Sequence, residues 1–109
     1  MRSLMDINIS EFYELIYKIT NNFLVMADKF TISELKKKHD PTMLEIAEDA
    51  TDLSKIMNSI ADDKWDDERL ALNAAQAALH MRRAAIAVRN ENKELFEQAI
   101  NDLASLSLV

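Results

Sequence analysis

Residues 70–88, LALNAAQAALHMRRAAIAV, decide how this chain folds. Leu70, Ala74, Ala77, Met81, Ala84 and Val88 recur at alternating steps of four and three. On a helix of about 3.6 residues per turn that spacing places them on one face. Eight of the 17 residues from Ala71 to Ala87 are alanine, which favours helix and lets neighbouring backbones approach closely. A second apolar stripe, Leu72, Ala75, Leu79 and Ile86, runs beside the first and is interrupted by Arg82. A helix apolar on both sides has to be covered somewhere. Either it sits centrally in a bundle with neighbours on both sides, or it offers Leu72, Leu79 and Ile86 to a second copy or a partner groove.

The segments around it carry the same periodicity. Ile9, Phe12, Ile16, Ile19, Phe23, Met26 and Phe30 form a heptad-type stripe, with Asn8 and Glu11 at capping-box spacing before it. Thr31-Ile-Ser-Glu34 is a cleaner capping box and opens a short helix near residues 32–38. Asp40-Pro41 predicts a break, because the residue before proline is disfavoured in the α region and proline suits a first helical position. Met43, Ile46, Ala50, Leu53, Met57 and Ile60 then resume the stripe. Residues 62–67 punctuate the chain again. Asn90 can take the left-handed cap conformation that glycine usually supplies. Asn92 can cap a last helix that buries Phe96, Ala99, Leu103 and Leu106. The expected architecture is all-α, a single domain over residues 1–109. It is an antiparallel four-helix bundle with short joints and a short extra helix near residues 32–38.

Composition narrows the function classes. Among 109 residues there is no glycine, no cysteine and one proline. Glycine builds hairpin turns, phosphate-cradling loops and nucleophile elbows, so small barrels, P-loops and Rossmann sites are not expected. Without cysteine there is no disulfide framework and no thiolate nucleophile or ligand. The start, Met1-Arg-Ser-Leu-Met-Asp6, lacks the apolar stretch of a secretory signal. No run reaches the roughly 18 apolar residues of a membrane span. A cytoplasmic protein without membrane attachment is expected. A net charge of -6 and a pI near 4.8 argue against general nucleic-acid binding, which needs a basic field.

The charges are segregated. Nine acids lie between Glu45 and Glu68, against two bases, Lys55 and Lys64. From Arg69 to Arg89 there are four arginines and no acid. Glu45, Glu48, Asp49 and Asp52 share one helical face, and like charges so spaced destabilise an isolated helix. Three things can compensate: ion pairs with Arg82, Arg83 and Arg89, plain solvation, or a basic partner docked on the acids. Asp62, Asp63, Trp65, Asp66, Asp67 and Glu68 make a second acidic group with a tryptophan inside it. Acids suit a helix N-terminus; equally, tryptophan anchors interfaces and acids steer cationic partners towards it.

Chemistry finds little support in the residue pattern. The Glu-x-x-His repeats of a di-iron bundle are absent, since Lys36 and Ala77 stand three residues before His39 and His80. No catalytic residue, cofactor or metal site is expected. Glu11-x-x-Glu14 together with Glu45-x-x-Glu48, Asp49 and Asp52 resembles, distantly, the all-α nucleoside triphosphate pyrophosphohydrolases. Their carboxylates hold Mg²⁺ on facing helices, although the doubled Glu-Glu start of that family is missing here. That resemblance implies a Mg²⁺-dependent hydrolase as an alternative. The leading expectation is a non-enzymatic acidic module that binds a basic protein and blocks or escorts it. Inhibitors of the immunity, antitoxin or anti-defence type share this profile of charge and size, and small secretion chaperones are the other alternative. The partner-binding residues would be the ten named acidic-group residues between Glu45 and Glu68. A homodimer through Leu72, Leu79 and Ile86 is a further expectation.

Overall fold

The computed structural model describes residues 9–64 and 68–106, and for residues 9, 60–64 and 68–70 the backbone alone. They form four helices packed against one another: α1 (Ile9–Lys29), α2 (Ile32–Lys64), α3 (Glu68–Arg89) and α4 (Lys93–Ser105). There is no strand among the described residues. The most extensive pairing is α2 with α3, and α3 also packs against α4 and α1.

The periodic stripes explain the core. Phe12, Ile16 and Phe23 of α1 are fully buried, as are Leu35, Met43, Ala50 and Met57 of α2. Phe96, Ala99 and Leu103 of α4 join the same core. Each large side chain so buried contributes about 1.5–3 kcal/mol relative to an exposed one. On α3, Ala71, Ala74, Ala77, Ala78, Ala84, Ala85 and Ala87 are all buried, with Met81 and Val88 between them. An alanine-lined face lets neighbouring helices approach closely, and α2 is the neighbour it meets most extensively.

The chain corrects two expectations. The short extra helix near residues 32–38 is not separate, because α2 runs unbroken from Ile32 to Lys64 with Pro41 inside it. Proline removes one donor, leaving the Lys37 carbonyl without its usual partner. Pro41 and Lys37 are both exposed, so water can take that role. The expected capping box is nonetheless real. The Glu34 N–H donates to Thr31 Oγ1 at 3.2 Å, and the Thr31 N–H donates back to Glu34 Oε1 at 3.1 Å. Those bonds hold the Glu34 carboxyl below its ordinary pKa, the backbone N–H of Thr31 acting most strongly and its hydroxyl next. Phe30 completes this joint by resting against the His39 ring, 4.6 Å between centroids.

The second correction lies between α3 and α4. The left-handed residue is Glu91, with φ of 51°, and not Asn90. The Asn92 N–H donates to Ala87 O at 2.8 Å and the Glu91 N–H to Val88 O at 3.0 Å. This is a Schellman ending, in which the residue after the cap takes the left-handed conformation; the helix runs one residue further than the asparagine suggests. Asn92 does cap α4, its side chain accepting from the Leu95 N–H at 3.2 Å. Asn8 lies outside the described residues.

Candidate protein-docking surface

The buried arc of α2 decides where its charges go. Met43, Ala47, Ala50, Leu53 and Met57 face the core, so Glu45, Glu48, Asp49 and Asp52 take the opposite side of the helix. All four are exposed. Among the described residues no ion pair engages any of them.

The arginines that could have neutralised this face are engaged elsewhere. Arg83 donates to Asp102 Oδ2 on α4 at 3.0 Å and also bonds His80 Nδ1 at 2.9 Å. A guanidinium only donates, so this nitrogen of His80 accepts. Arg89 Nε donates to Asp40 Oδ2 at 3.4 Å, while Lys36 reaches Glu91 at 3.7 Å. The last two pairs tie the first turns of α2 to the end of α3. Arg82 has no ion pair among the described residues. Pairing of the 45–52 acids with Arg82, Arg83 and Arg89, one of the three possible compensations, is therefore not formed among the described residues. The residues sit on neighbouring helices, but Asp40 and Asp102 lie nearer to two of the three arginines.

A cleft of about 490 Å³ opens where the acid face meets α3, lined by Leu44, Glu48, Thr51, Asp52, Lys55, Arg82, Ile86 and Arg89 among others. From Ile86 in that lining the second stripe continues along α3 through Leu79 to Leu72, the three exposed to 43%, 55% and 59%. This second stripe is thus outside the core, and α3's neighbours do not cover it. Trp65, Asp66 and Asp67 lie outside the described residues, as do the side chains of Asp62, Asp63 and Glu68.

A second cleft of about 480 Å³ was not foreseen from the sequence. It lies between the end of α1 and the start of α4, with Leu24, Phe30, Ile32, Phe96 and Ile100 as its apolar lining and Lys93 and Glu97 among its polar residues. Leu24, Phe30 and Ile100 are half-buried; Phe30 belongs to the α1 stripe, while Leu24 and Ile100 lie outside the stripes read from the sequence. No group of three or more histidine or carboxylate side chains among the described residues is gathered closely enough to hold a metal ion. Glu11, Glu14 and the α2 acids do not make one. Among the described residues no helix is long and apolar enough to cross a membrane. Comparison with family models, curated proteins and solved structures returned no match to this chain.

Proposed function

We propose that the chain is a protein-binding module whose acidic α2 face docks a basic surface of another protein, blocking or escorting it. One observation carries this reading. Glu45, Glu48, Asp49 and Asp52 crowd one helical face, exposed and without an ion pair among the described residues, while the neighbouring Arg83 and Arg89 pair with other carboxylates. The crowding costs a few tenths of a kcal/mol per pair in an isolated helix, and a cationic partner would turn that cost into attraction. Such a field speeds encounter at low salt and fades as salt screens it. Asp62, Asp63, Trp65, Asp66, Asp67 and Glu68 would extend the surface beyond the end of α2. The same reading takes the bundle as antiparallel, which the pairs Lys36–Glu91 and Arg89–Asp40 support, and places the protein in the cytoplasm.

Affinity capture from native lysate tests it. The expected result is a basic protein retained at low salt, released at high salt, and lost with Glu48→Lys/Asp52→Lys. Glu94→Lys/Glu97→Lys, the same charge change on α4, should retain it. No captured partner, or one indifferent to the α2 reversal, would overturn the reading.

A further inference from the structure

We infer that the outward face of α3 is closed by α3 of a second copy of this chain, the two helices lying antiparallel about a two-fold axis at Leu79. Among the described residues the large exposed apolar side chains are unevenly placed: Tyr17, Val25 and Leu95 are scattered over α1 and α4, whereas Leu72, Leu79 and Ile86 line up on one helix. Seven-residue steps keep them nearly in line over about 21 Å of helix.

The spacing is symmetric about Leu79. An isologous contact pairs each residue with its mirror position, so the face must complement itself. Leu72 then meets the partner's Ile86, Leu79 meets the partner's Leu79, and Ala75 and Gln76 lie opposite the partner's Arg83 and the partner's Arg82. Short or neutral side chains leave room for those arginine stems. A parallel pair would instead set Arg82 and Arg83 each against its own copy.

Charge points the same way. The cleft beside Ile86 carries Glu48 and Asp52 on the α2 side together with Arg82, so one patch holds both signs. The two-fold axis lays the α2-side edge of one copy along the same edge of the other, turned end for end, so Arg82 of each copy lies opposite the neutral Gln76 of the other. A surface of a single sign would repel its own copy.

The chain has no cysteine, which makes the test specific. Under mild oxidation, Leu79→Cys alone should form a disulfide-linked dimer rapidly. Leu72→Cys alone should not, but a mixture of Leu72→Cys and Ile86→Cys chains should cross-link with each other. Sedimentation equilibrium of the purified chain should give twice its 12.5 kDa mass at high concentration. Leu79→Glu should give 12.5 kDa with unchanged circular dichroism, while Leu95→Glu stays dimeric. A monomer at every concentration would overturn the inference, and so would Leu72→Cys cross-linking as readily as Leu79→Cys. The protein is tested pure, so the outcome does not depend on whether a basic partner exists.

Discussion

The two faces of α3 have their side-chain sizes reversed. Inside, seven alanines flank Met81 and Val88; outside, Leu72, Leu79 and Ile86 stand in water. Burial alone would favour the opposite arrangement, at roughly 25 cal/mol per Å² of apolar surface. Small side chains on the inner face let neighbouring helices pack closely, and α3's most extensive pairing is with α2. α1 solves the same problem differently, filling its side of the core with Phe12, Ile16 and Phe23. Hydrophobic pattern thus marks which faces are covered, while residue size marks how near the covering element comes.

Substitutions on the two faces should therefore behave oppositely. Met81→Ala, on the buried face, should cost about 2–5 kcal/mol by leaving a cavity, measured by urea unfolding. Ala84→Leu adds volume where there is none and should cost about 1–3 kcal/mol. Leu79→Ala at low protein concentration should stay within about 0.5 kcal/mol of the parent, as an exposed site does. A large loss there, or none at Met81, would break the contrast.

At the end of α3 the expected change is stabilising. A non-glycine residue in the left-handed conformation costs roughly 1–2 kcal/mol, and glycine's added chain entropy returns roughly 0.5–1 of it. Glu91→Gly should thus raise stability by about 1 kcal/mol, although the exposed Lys36–Glu91 pair is lost, because such pairs contribute little. Thermal unfolding checks it. The smallest effect is at the start of α2. Glu34 is held below its ordinary pKa by the Thr31 bonds, so its contribution is present above the usual glutamate range. It is lost as pH falls through the lowered folded value. Glu34→Gln should flatten that part of the acid-unfolding profile and leave the neutral-pH fold intact.

Much of this was legible in the residues. The Thr31–Glu34 box, the Asn92 cap and the buried positions Phe12, Phe23, Met43, Met57 and Phe96 follow from spacing and side-chain chemistry. At Pro41 local preference predicts a break, whereas an exposed proline leaves its orphaned carbonyl to solvent and the helix continues. Asn90 suits a left-handed position by residue type, but that position depends on where α3 stops, and the helix runs one residue further. The acid face was legible as a face, but not its freedom from the arginines, since Asp40 and Asp102 come near Arg89 and Arg83 only in the fold. Likewise the Leu72, Leu79 and Ile86 stripe could be seen, but not that α3's neighbours leave it open.

That open stripe is best tested by how stability depends on concentration. A face covered by a second copy couples unfolding to dissociation, so the urea midpoint rises with protein concentration. Over a roughly hundredfold range the parent midpoint should climb, while that of Leu79→Glu should stay fixed. Superimposable parent curves across the range would contradict the account.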